Sequence, residues 1–183
     1  MVILRPTRRL MSLLPAATTL PPISDTALGD WYVNRIVVTR RPLLLIVSSN
    51  GLLPVVIPAR DVRAMPERLA EVVRVRLRRL GIAAPIIAAE TDAMRPVVIA
   101  PTVDRSVLGI MVDFAKTIEF VLSQREWDET ALPDIEDGLA ATPCHAKKRF
   151  EKVIFPDTKA PELLSSRWSE ASWRREGTGE PIH

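Results

Sequence analysis

The chain has one cysteine, Cys144, and two histidines, His145 and His183. A single thiol cannot form an intramolecular disulfide, and such sparing use of cysteine points to a reducing compartment, the cytoplasm. One thiol and two imidazoles also exclude a structural zinc site and a histidine-based triad. Cys144 and His145 are adjacent, but neighbours on an extended segment face opposite ways, so they do not read as nucleophile and base. No P-loop, dinucleotide fingerprint or HExxH helix is present, and no cofactor or metal is called for. Long hydrophobic runs are missing too. Residues 42–59 carry no charge, yet Pro42, Ser48 to Gly51, Pro54 and Pro58 interrupt them. That pattern suits a hairpin and not a membrane span. The apolar stretch 10–17 is short and broken by Pro15, unlike a secretory signal.

What is present is a chain of 183 residues, 47% hydrophobic. It can build one α+β core with an extension and a tail. The net charge is only +3 but is unevenly spread. Residues 1–84 hold 13 arginines against 5 acids, and residues 85–183 hold 12 basic against 17 acidic side chains. This polarity suits an anionic partner for the first half, or docking of the acidic half onto it.

The strongest periodic signal runs from Thr102 to Ser123. At 100° per residue, Val107, Leu108, Ile110, Met111, Phe114, Ala115, Ile118, Val121 and Leu122 share one broad face, which predicts a core helix covered by a sheet. Pro101 marks its start, and Asp104 is the favoured N-cap, where its charge also suits the helix dipole. The outer stripe holds Ser106, Gly109, Asp113, Lys116, Thr117 and Phe120. A mid-helix glycine costs about 1 kcal/mol against alanine, so Gly109 suggests close approach of another backbone or a ligand.

The rest of the chain places smaller elements around that helix. Val2–Leu4 reads as a strand, and Thr7 caps a helical turn to Leu14. Trp31–Thr39, Leu43–Ser48 and Leu52–Ile57 read as a three-stranded meander, turned by Arg40–Pro42 and by Asn50-Gly51, with Pro54 placing the last strand at an edge. Pro66–Leu80 is a second helix, stopped at Gly81. On it Arg76 falls inside the apolar arc, where it either snorkels or meets a carboxylate or anion. Pro85–Glu90 and Pro96–Ala100 read as a second hairpin. The predicted fold is therefore α+β: a small, mainly antiparallel sheet on two main helices. Residues 1–125 form the core domain. Residues 126–164 form an acidic linker and docking extension, solvated through Glu126–Asp137, with a short helix near Ile135–Leu139. Residues 165–183 are polar and aperiodic and read as a disordered tail.

Leu28-Gly29-Asp30-Trp31-Tyr32, Arg40-Arg41 opening a strand, Val56-Ile57-Pro58 closing the next, and above all Asp104-Arg105-Ser106-Val107-Leu108-Gly109-Ile110-Met111 together resemble an uncharacterised bacterial family that carries only a domain-of-unknown-function label. The weaker pieces are Ala141–Cys144, Phe155-Pro156 and Glu162–Leu164. The resemblance covers about residues 1–164, implies an α+β fold and a bacterial origin, and brings no catalytic residue. The candidate ligand-binding residues are Trp31, as a stacking surface, with Arg76, Asp104, Arg105, Ser106, Gly109 and Asp113. They suit a non-catalytic module that binds a protein partner or an anionic ligand. Two alternatives stand beside this. One is an enzyme acting on a nucleotide or nucleic acid, with Arg76 and Arg105 on phosphate and Asp113 as base or metal ligand. The other is non-specific nucleic-acid binding by the first-half arginines, which the low total charge disfavours.

Overall fold

The computed structural model describes residues 1–146 and 153–176. Its centre is a five-stranded sheet in the order β4-β3-β2-β1-β5. The strands are β1 (Val2–Pro6), β2 (Trp31–Val38), β3 (Arg41–Ser48), β4 (Pro54–Pro58) and β5 (Val97–Ile99). β2, β3 and β4 form the antiparallel meander, whereas β1 runs parallel to both β2 and β5. The sheet is thus mixed. Every residue of β1 is buried, as is β3 from Leu43 to Ser48, because helices cover both faces.

Among the described residues six helices do this: α1 (Arg8–Met11), α2 (Met65–Arg79), α3 (Ala84–Ala93), α4 (Arg105–Ser123), α5 (Leu132–Ala140) and α6 (Pro156–Glu176). On one face, Leu4, Trp31, Val33, Ile46 and Val55 pack with residues of α1, α2, α3 and α6. On the other, Tyr32, Leu45, Val47 and Val56 pack with α4 and α5. α4 buries Val107, Ile110, Met111, Phe114, Ile118 and Leu122. At about 1.5–3 kcal/mol each, their gross burial is comparable to the net stability of a whole domain, so α4 is held firmly in place.

Four elements differ from the sequence expectation. Pro85–Glu90 is not a strand but the first half of α3. Ile87, Glu90 and Thr91 are its buried residues, with Met94 buried at its C-terminal cap, at helical and not strand spacing, and alanine favours the helix. Glu126–Asp137 is not a solvated linker. A 3-10 turn at Glu129–Ala131 leads into α5, and Trp127, Leu132, Ile135 and Glu136 are buried. The polar stretch after Leu164 is not disordered but continues as α6 to Glu176; the disorder expected for 177–183 lies outside the described residues. The first helical turn also ends at Met11, short of Leu14.

Buried polar groups lock the layers. Asp30 accepts from Arg5 Nε and from Ser24 Oγ, while Arg5 also donates to Pro101 O. The Asp30 amide donates to Ser49 Oγ at 2.9 Å, and the Asn50 amide to Leu28 O at 3.0 Å. Gly29 sits between these groups at φ +71°, a conformation that suits glycine. The Leu28–Trp31 stretch is therefore a structural junction between β1, β2 and the β3–β4 turn. Among the described residues, no helix is long and apolar enough to cross a membrane.

Candidate functional site

The residues picked out in the sequence do not converge. Trp31 is fully buried in the core at the start of β2, so it offers no stacking surface. Asp104 caps α4: its Oδ1 accepts from the amides of Ser106 at 2.7 Å and Val107 at 3.4 Å. The carboxylate occupies the N–H groups that an incoming anion would need. The Asp104 amide donates to Tyr32 Oη at 3.1 Å, fastening the cap to the sheet. Arg105, Gly109 and Asp113 are exposed on α4. A Cβ on Gly109 would meet nothing within 4 Å, so close approach is not the reason for that glycine.

Arg76 lies elsewhere, on α2, with 1% exposure. Its Nε donates to Pro54 O at 3.1 Å and its Nη1 to Asp137 Oδ1 at 2.7 Å. Glu136 stands beside it, accepting from the Val56 amide at 2.7 Å and from Arg79. Burial pushes the Glu136 carboxyl up, against the pull of the Val56 amide and the two arginines. These groups satisfy outward-facing backbone atoms of β4, an edge strand that would otherwise invite pairing. Of the two sequence readings of Arg76, the carboxylate-paired one describes it. Arg76 is buried with its donors engaged, on the helix opposite the face that carries Arg105 and Asp113. The three therefore do not line one open pocket. Cys144 is buried and His145 exposed. Burial, with Asp113 nearby, pushes the thiol up to about 11, which leaves it protonated and unreactive at neutral pH.

The open site lies along β2. The β1–β2 ladder ends at Pro6↔Val33, and its last rung is the Thr7 amide donating to Val33 O at 2.9 Å. Pro6 and Thr7 then turn the chain into α1. Among the described residues, β2 continues alone on that side from Asn34 to Val38, while its other side stays paired with β3 to the Val38↔Arg41 rung. Backbone groups alternate sides along a strand. Because Val33 O faces β1, the N–H and C=O of Arg35 and Val37 face the open edge.

That edge is the bed of a groove of about 430 Å³. Arg9, Leu10 and Leu13 form one lip, Arg35 to Val38 the bed, and Ala115 and Glu119 of α4 the other lip. Val37 is 53% exposed and Leu13 42%. Thr7 Oγ1 donates to Asn34 Oδ1 at 2.9 Å and closes the near end.

The far end is a two-residue turn in which Thr39 and Arg40 have φ of 47° and 68°. Positive φ suits the twist of a tight hairpin but strains a β-branched residue. Trp127 holds the turn: its indole N–H donates to Thr39 Oγ1 at 2.8 Å, and Arg41 donates to Trp127 O at 2.7 Å. The groove is thus supported at both ends. Sequence reasoning missed Arg9, Arg35 and Val37. The one signal was that β1 is shorter than β2, which has meaning only once the two are known to pair.

A wider polar cleft beside the same turn, lined by Arg41, Arg125, Asp128 and Asp134 among others, has its central groups already engaged. Arg41 is tied to Trp127, and Asp128 accepts from Thr130. Among the described residues no group of three or more histidine, cysteine, aspartate or glutamate side chains is placed to hold a metal.

No curated protein and no solved structure matches the chain. Residues 3–159 match a domain of unknown function, DUF6933. That span includes the Leu28–Trp31 junction, the sheet from Ile3 onward and the capped helix α4, and the chain belongs to the DUF6933 family.

Proposed function

We propose that this protein is a non-catalytic binding module that takes an extended segment of a partner protein along the open half of β2. The observation that carries this reading is the unpaired β2 edge from Asn34 to Val38, bedded in a groove between α1 and α4. A strand added there would hydrogen-bond to the Arg35 and Val37 backbone and extend the sheet, a recurrent mode of peptide recognition. Of the two edges of the sheet, β4 is engaged by Arg76 and Glu136, and the three-residue β5 has its Ile99 carbonyl taken by the Thr18 amide at 2.8 Å. The buried carboxylates Glu90 and Glu136 accept backbone amides, which supports structural roles for them.

Val37→Pro tests the reading. Proline is tolerated at an edge position whose N–H faces outward, so the fold should survive while one docking amide is lost. Wild-type and Val37→Pro proteins would be immobilised and their retained partners compared by mass spectrometry. At least one partner should be kept by the wild type and lost by the variant, with both melting alike. Identical retained sets would refute edge docking.

A further inference from the structure

We infer that the segment taken by the β2 groove is an acidic one, with carboxylates alternating with apolar side chains. This rests on the edge-docking reading above and adds the chemistry of the occupant. Arg9 and Arg35 both line the groove and both are exposed. Among the described residues neither has a carboxylate within ion-pair distance, whereas Arg5, Arg60, Arg74, Arg76, Arg79 and Arg167 all do. The groove therefore presents two uncompensated guanidinium groups beside unpaired backbone, and complementary charge is the cheapest way to select a partner there.

Strand geometry gives the pattern. Trp31 and Val33 belong to the core on the α1 side, and Tyr32 and Val38 to the core on the α4 side. By the same alternation Arg35 and Val37 project toward the α1 side and Ile36 toward the α4 side. In an added strand, a residue opposite Arg35 shares its face and meets the arginines. Its neighbours in sequence turn to the other face and meet the partly buried Ile36 and Ala115. Glu119 on that lip repels an acid at those positions. The fit is acid, apolar, acid, apolar.

The same geometry separates a peptide from a nucleic acid. The outward carbonyls of Arg35 and Val37 need N–H donors, which a peptide backbone supplies at the right spacing and a phosphodiester backbone does not. A uniform polyanion would also run its charges past Glu119.

The experiment uses the full chain and a fluorescent peptide whose core alternates glutamate and valine between glycine-serine tails, read by anisotropy. Comparators are the same peptide with lysine for glutamate, one N-methylated at alternate residues, and a short oligothymidylate. The glutamate peptide should bind the wild type. N-methylation and Val37→Pro should each abolish that binding, and Arg35→Glu should weaken it at least about tenfold and favour the lysine peptide instead. Circular dichroism melts confirm that the exposed variants remain folded. Equal binding of the glutamate and lysine peptides would overturn the acidic preference and leave edge docking standing. Binding of neither peptide would overturn both. Oligothymidylate binding that Val37→Pro leaves unchanged would assign the arginines to nucleic acid.

Discussion

Trp168 of α6 donates its indole N–H to the Glu90 carboxylate of α3 at 2.7 Å. The other oxygen accepts the Leu28 amide at 3.0 Å, and the Ala27 amide reaches the same group at 2.9 Å. One fully buried carboxylate thereby joins α3, α6 and the loop that leads into β2. Burial pushes the Glu90 carboxyl above its ordinary value near 4.5, only partly offset by those three N–H donors.

A pH dependence follows from that shift. The folded state binds the Glu90 proton more tightly than the unfolded state. The stability this group contributes is complete below about 4.5 and is lost as pH rises through the raised value. Glu90→Gln does not titrate. The stability difference, wild type minus Glu90→Gln, should therefore fall from pH 4.5 toward neutrality in urea unfolding series. A difference that stays flat over that range would show that the shift is absent.

Arg76→Met should destabilise the fold by about 3–5 kcal/mol, because Glu136 is left buried with only Arg79 and one amide to offset its charge. Adding Glu136→Gln to Arg76→Met should recover most of this, since the amide oxygen still accepts from Val56. Denaturant unfolding of the singles and the double gives the coupling energy. Asp137 is half-exposed and its share of the network is small. Independent, additive effects of the two sites would contradict the pairing.

Two glycines should respond with opposite signs. At Gly29, φ is +71° and a Cβ would fall 2.9 Å from Asn50 Cγ and closer still to Ser49 Oγ. Gly29→Ala should cost about 1–3 kcal/mol. Gly109 has helical backbone and open space around it. Gly109→Ala should stabilise by up to about 1 kcal/mol. Thermal melts decide both, and a destabilised Gly109→Ala would reveal a neighbour at that position.

Asp104→Ala should cost about 1 kcal/mol through loss of the cap on α4, and Asp104→Asn should cost less, because asparagine caps as well but lacks the charge that suits the helix dipole. Chemical denaturation at low and high salt separates the two effects. The Asp–Asn difference should shrink as salt is added, while the Asn–Ala difference stays constant.

Much of this architecture was legible in local pattern. α4, its Asp104 cap, α2 with Gly81 behind it, and the β2–β3–β4 meander all follow from periodicity and turn chemistry within about twenty residues. Their apolar faces are wide enough that one arrangement buries them. α3 was not legible, because Ile86-Ile87-Ala88-Ala89 fits either period and only packing against α2 and α6 selects the helix. Glu136 and Trp168 looked solvated, because their partners lie 80 and 78 residues away, at Val56 and Glu90.

The groove depends on tertiary structure alone. Residue by residue, β2 is an ordinary strand with Arg35 and Val37 on one face. Its exposed edge exists because the parallel neighbour β1 stops at Pro6 and α1 turns aside, leaving amides and carbonyls without a rung. Chain composition set what kinds of chemistry the protein carries. Which backbone atoms remain free for a partner was decided by where one strand ends beside another.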